Sequence, residues 1–298
     1  MKLTKLLFSL LIAFMATSVL ISCGDGKKSE EENYSEEFKE SESDLQEDIK
    51  QITYNLPSPS EVPGLLMRSG IDYNGELINP SSNVDKYTST NDLAALNLGV
   101  FATDVGYLIS HDKVQEALNY LSDCKKLGDQ LGLSGSFETS FIEKFETNLN
   151  NKDSLTRLID ATINESHVYL QNTERAHLSA MLLTGSMVEG LYISTELINR
   201  YPSEGLTEEI RNAVLTDLIR VILEQYKTVN VLMEMINDLQ PTDQLNTIKS
   251  DLEALTAEYE KLDIEDKIEN NQGSLVFKDE HLKEISTIVT KMRNEITQ

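Results

Sequence analysis

The chain contains no tryptophan, aromatic side chains make up only 6% of its 298 residues, and it has two cysteines. A carbohydrate-stacking cleft needs exposed rings, and a chain this poor in them argues against one. Cys23 and Cys124 alone can form neither a disulfide framework nor a thiolate metal cluster. Cations are also scarce, with 26 Lys and Arg against 50 Asp and Glu, a formal charge of −24. No basic stripe offsets that excess. The surface therefore repels phosphate backbones, which excludes nucleic acid as a partner. The histidines, His111, His167, His177 and His281, never fall four residues apart, and the paired Glu-x-x-His of a di-iron bundle is missing. Gly132-Leu133-Ser134-Gly135-Ser136 follows no strand pattern, so it is not a nucleophile elbow. These absences lead us to expect no metal, no cofactor and no enzyme activity.

What is present begins at the amino end. Lys2 and Lys5 precede an apolar run from Leu6 to Ile21, the charge order and length of a secretory signal. The run ends in Leu20-Ile21-Ser22-Cys23-Gly24, which resembles the bacterial lipobox, and the resemblance implies that Cys23 is acylated and becomes the first residue after cleavage. Several acyl chains give the two signals that stable anchoring needs. Residues 1–22 are then a lipoprotein signal peptide, and residues 23–56, rich in Ser, Glu and Lys, an acidic disordered tether. A short capped helix is expected from Ser60, followed by a long irregular loop from Ile71 to Thr88.

From about Thr90 the pattern is helical throughout. The segment from Glu174 to Asn199 is apolar on both sides yet interrupted by His177, Ser179, Thr184, Ser186 and Glu189, so it predicts a central core helix rather than a membrane span. The segment Thr90 to Ser110 is apolar on nearly every side as well. Asp112 with Gln115 predicts a capped start for the next helix, whose stripe contains Cys124 as a small buried hydrophobe. Further helices follow to about Gln171 and, after Tyr201-Pro202, from Thr207 to about Leu239. After Pro241 the apolar residues alternate by three and four, first through Leu245, Ile248, Leu252, Leu255, Tyr259 and Leu262, then through Leu282, Ile285, Val289, Met292 and Ile296. Two such seams predict an antiparallel coiled-coil hairpin over residues 241–298, packed on a helical bundle over 57–240. The fold class is all-α, a multi-helix antiparallel bundle around a buried helix.

Pro57-Ser58-Pro59, Gly70, Tyr73, Asn79-Pro80, Tyr87, Asn97-Leu98-Gly99-Val100-Phe101, Asp104 and Tyr107, continuing to Gly185, Glu189, Gly190, Leu191 and Tyr192, resemble a family of uncharacterised Bacteroidota lipoproteins. The resemblance implies an all-helical fold and carries over no catalytic residue. The candidate site residues come from the pattern itself: Asn97, Asp104 and Glu189 are polar in helices that are apolar on nearly every side. A buried carboxylate must find a donor, keep its proton or meet water. Asn97, Tyr107 and Tyr192 are the expected donors. The cluster reads either as a structural network or as a ligand pocket between helices. The functional expectation is a lipid-anchored protein of the outer membrane, facing the periplasm or the surface, that binds or scaffolds an envelope partner. A small-ligand binding protein with a pocket near Asn97, Asp104 and Glu189 is the alternative, and an envelope enzyme comes behind it.

Overall fold

The computed structural model describes residues 72–133, 139–172, 175–200, 208–262 and 279–298. The signal segment with Cys23, the tether, the helix expected from Ser60 and the turn of the C-terminal hairpin lie outside these residues. Within them every regular element is helical: a 3-10 helix (Ser81–Ser89), then α1 (Asn91–Ser110), α2 (Val114–Gln130), α3 (Thr139–Thr147), α4 (Lys152–Asn172), α5 (Ala176–Arg200), α6 (Glu208–Asn237), α7 (Asp243–Leu262) and α8 (Glu280–Thr297).

The centre holds two helices rather than one. Thr90 caps α1 by accepting the Leu93 N–H at 3.2 Å, and every residue from Ala94 to Ser110 is buried. By length and composition α1 could cross a membrane, but its neighbours cover 94% of that apolar window, as for the core helix of a bundle. In α5 the run from Leu178 to Leu191 is buried without a break. The two helices cross where each has a glycine. A Cβ on Gly99 would stand 2.1 Å from the Leu182 carbonyl oxygen, and one on Gly185 would stand 1.8 Å from that of Leu96. Any larger residue would push the backbones apart. One turn further on, Thr103 Oγ1 and Ser186 Oγ meet at 2.9 Å across the same contact.

Two local expectations change. Asp112 does not start α2; it closes α1. It adopts φ 60°, its N–H donates to Ile109 O at 3.2 Å, and the next N–H, of Lys113, donates to Leu108 O at 2.8 Å. This is the Schellman pattern with an Asp in the left-handed position, so Asp112 cannot also cap α2, whose cap residue Lys113 makes no side-chain capping bond. Second, the stretch expected to be irregular up to Thr88 contains the 3-10 helix. Burial of Val84 and Tyr87 against the core holds those turns.

The last two described helices follow their pattern closely. All six apolar seam positions of α7 and all five of α8 are buried. They run antiparallel, since Glu258 meets His281 at 2.7 Å and Asp251 meets Lys291 at 2.6 Å. Asp279 caps α8, accepting the His281 N–H at 2.9 Å. Beyond its seam with α7, α8 also packs on α5, and Asn199 Nδ2 donates to Ser286 Oγ at 3.1 Å.

Candidate functional site: a buried acid pair and the groove beside it

Four elements bring one polar cluster together. α1 supplies Asp104, α5 supplies Glu189 and Tyr192, α8 supplies Arg293, and the segment before the 3-10 helix supplies backbone groups of Leu77 and Asn79. The close crossing of α1 and α5 makes the cluster possible, because it lays Asp104 and Glu189, each one turn past the glycine contact, against each other. Arg293 approaches Glu189 in a fork: Nε donates to Oε2 at 3.0 Å and a terminal nitrogen to Oε1 at 3.1 Å. That terminal nitrogen also donates to the Leu77 carbonyl at 3.2 Å. The guanidinium lies 4.2 Å from the centre of the Tyr192 ring. A bidentate pair flanked by an aromatic face suits Arg and would not suit Lys.

Asp104 is served less well. Its Oδ2 accepts the Asn79 N–H at 3.1 Å, while its buried Oδ1 has no N–H or O–H donor among the described residues. Burial first, and the Glu189 carboxylate second, push the Asp104 carboxyl well above the usual range, against the opposing pull of Arg293 and the Asn79 N–H. Burial alone would lower the pKa of Arg293, but Glu189 beside it raises it. Neither Asp104 nor Glu189 is exposed at all, whereas 12% of the Arg293 side chain is.

Asn97, the third residue singled out by the sequence, performs a separate task. Its Nδ2 donates to Leu93 O at 3.0 Å and to Ile296 O at 2.9 Å, so it fastens the end of α8 onto α1. Tyr87 acts in parallel, donating to Thr297 O at 2.9 Å. The expected donors to the acids are therefore corrected. Asn97 turns toward α8, the Tyr107 hydroxyl accepts the Asn74 N–H at 3.0 Å, and Tyr192 offers its ring to Arg293. The donor that sequence reasoning missed is Arg293. Its signal was there: it stands four residues after Val289 and three before Ile296, inside the apolar stripe of an acidic chain.

The other side of the Leu77–Ser81 segment faces an open groove of about 620 Å³, lined by Ile78, Pro80 and Ser81 on one wall and by Glu116, Tyr120 and Asp123 of α2 on the other. Ser81 Oγ donates to Asp123 Oδ2 across it. Burial raises the Asp123 carboxyl above its ordinary range, more than the Ser81 bond and Lys126 lower it. A small molecule from outside has room here. The same short segment thus closes the acid pair with Leu77 and Asn79 and walls the groove with Ile78, Pro80 and Ser81.

Other reactive groups are structural in their surroundings. Ser179 Oγ bonds His167 Nδ1, but both are buried between α4 and α5, and burial lowers the His167 pKa. Cys124 is buried and its thiol is pushed up by that burial, as an inert core cysteine requires. Among the described residues no three His, Cys, Asp or Glu side chains are grouped to hold a metal ion. No protein-family model, curated protein or solved structure matches the chain.

Proposed function

We propose that this is a lipid-anchored protein of the bacterial cell envelope, tethered at Cys23, whose helical body acts by binding rather than by catalysis. The observation that carries the reading is the Leu20-Ile21-Ser22-Cys23 stretch behind two lysines and an apolar run. An acidic body gains nothing from anionic head groups, so attachment has to come from the acyl chains. The test is Cys23→Ser: labelling by a clickable fatty acid should disappear and the protein should leave the detergent phase. Unchanged partitioning would refute the anchor. Placement in the outer membrane is tested by fractionation. The side it faces is read from protease added to intact cells, which cuts the acidic tether only if the protein faces outward.

A second reading, small-ligand binding, draws on the groove between Ile78, Pro80 and Ser81 and the α2 face. Its acceptors, Glu116 and Asp123, suit a ligand bearing hydroxyl or ammonium groups. Native mass spectrometry of protein purified from the envelope should show a retained small molecule that Tyr120→Ala releases. If each protein has only the mass of its own lipidated chain, partner binding is left as the sole reading.

A further inference from the structure

Asp104 and Glu189 are fully buried against each other, and one guanidinium serves both. Arg293 places Nε and one terminal nitrogen on the two Glu189 oxygens. Asp104 keeps a single backbone N–H on Oδ2 and no donor on Oδ1. Two carboxylates that share a site do not both ionise, and the second charge here has no cation of its own. We propose that Asp104 and Glu189 form a buried proton-binding site, and that the proton they share latches the Leu77–Ser81 segment and α8 onto the α1–α5 crossing. With the proton on Asp104, Oδ1 becomes a donor to Glu189 and the orphaned oxygen is satisfied. Glu189 then balances Arg293, and Arg293 holds the Leu77 carbonyl.

The surrounding groups favour the same state. Tyr192 of α5 and Tyr107 of α1 lie beside the cluster, α2 presents Tyr120 and Cys124, the 3-10 helix presents Tyr87, and Tyr73 comes from the preceding segment. Arg293 is the one cation among these. The direction in which burial moves the Asp104 carboxyl agrees with the geometry. The inference depends neither on the lipid anchor nor on the groove.

The sign of the linkage makes it testable. Unfolded, Asp104 loses its proton in the ordinary range near 3.8; folded, it does so at higher pH. Between those values folding takes up a proton, so the folding constant falls about tenfold per pH unit as pH rises, and levels off above the folded value. Asp104→Asn removes the titration, keeps an acceptor for the Asn79 N–H and supplies a fixed donor toward Glu189. Urea unfolding of the full chain in detergent micelles, compared with D104N from about pH 4.5 to 8, gives the ratio of the two folding constants, in which titrating groups not coupled to Asp104 cancel and the Asp104–Glu189 pair remains. The ratio of wild type to variant should fall about tenfold per unit through part of that window. A ratio that stays flat overturns the proposal. Infrared spectroscopy provides a second readout that does not require the variant to fold. In the wild-type protein the C=O band of a protonated carboxyl should persist above the pH range in which ordinary carboxyls lose their protons, and its absence everywhere above that range would equally overturn the proposal.

Discussion

The α1–α5 crossing and the α7–α8 pair are both helix contacts buried from end to end, yet they are built in opposite ways. At the crossing, backbones meet because Gly99 and Gly185 leave out side chains, and the space a Cβ would need is filled by the carbonyl oxygens of Leu182 and Leu96. In the α7–α8 pair the backbones are held apart by a file of leucines, isoleucines and other large apolar groups. The first contact has no slack in the direction of addition, and the second has little in the direction of removal. Close approach also brings polar groups together. Thr103 meets Ser186 and Asp104 meets Glu189 at the crossing, while the polar contacts of the pair lie at its edges, as with Asp251 and Lys291.

Substitutions can break that comparison. The largest effect is expected from Glu189→Leu, which strands Arg293 among buried groups. It should cost about 3 to 5 kcal/mol in chemical denaturation, and Glu189→Gln, which keeps the volume and an acceptor, should cost less. In the seam, Leu255→Ala opens a cavity and should cost about 2 to 5 kcal/mol, whereas the volume-conserving Leu255→Met should stay below about 1.5. Next comes the sharpest contrast. Gly185→Ala adds one methyl and should destabilise by about 1 to 3 kcal/mol through overpacking, while Ile285→Val removes one and should cost about 0.5 to 1.5. A neutral Gly185→Ala would mean the backbones are not in contact, and the distinction between the two interfaces would fall. The smallest effect belongs to Lys125→Ala. It breaks an exposed i,i+4 pair with Asp129 and should change the unfolding free energy by no more than about 0.5 kcal/mol in either direction.

The two interfaces also differ in how far a sequence reveals them. The α7–α8 seam was legible because three- and four-residue spacing of large apolar residues is a positive signal. The crossing carries no such signal. A helix apolar on every side can be assigned to the core, but nothing in its periodicity says which neighbour it meets, and Gly99 and Gly185 acquire their meaning only when the two helices are placed together. The site shows the same divide. Asp104 and Glu189 stood out because a carboxylate in an apolar helix is costly. Arg293 did not, because long cationic side chains commonly flank an apolar seam with their heads in water. Asn97 was visible as a buried amide, yet its partner is a backbone carbonyl, Ile296 O, which no residue pattern can mark. Asp112 was misjudged for a local reason: the same short polar side chain that caps helices also tolerates the left-handed conformation that ends them.

The position of Arg293 in the chain has a kinetic consequence. The Glu189 carboxylate enters the core with a counter-ion made 104 residues later, and the Leu77 carbonyl shares that guanidinium across a separation of 216. On the ribosome, every residue from Leu77 to Glu189 exists before the one that neutralises the core does. The α1–α5 crossing cannot close around an unpaired charge at low cost, so its closure is tied to a contact far along the chain, and non-local closure of this kind is slow.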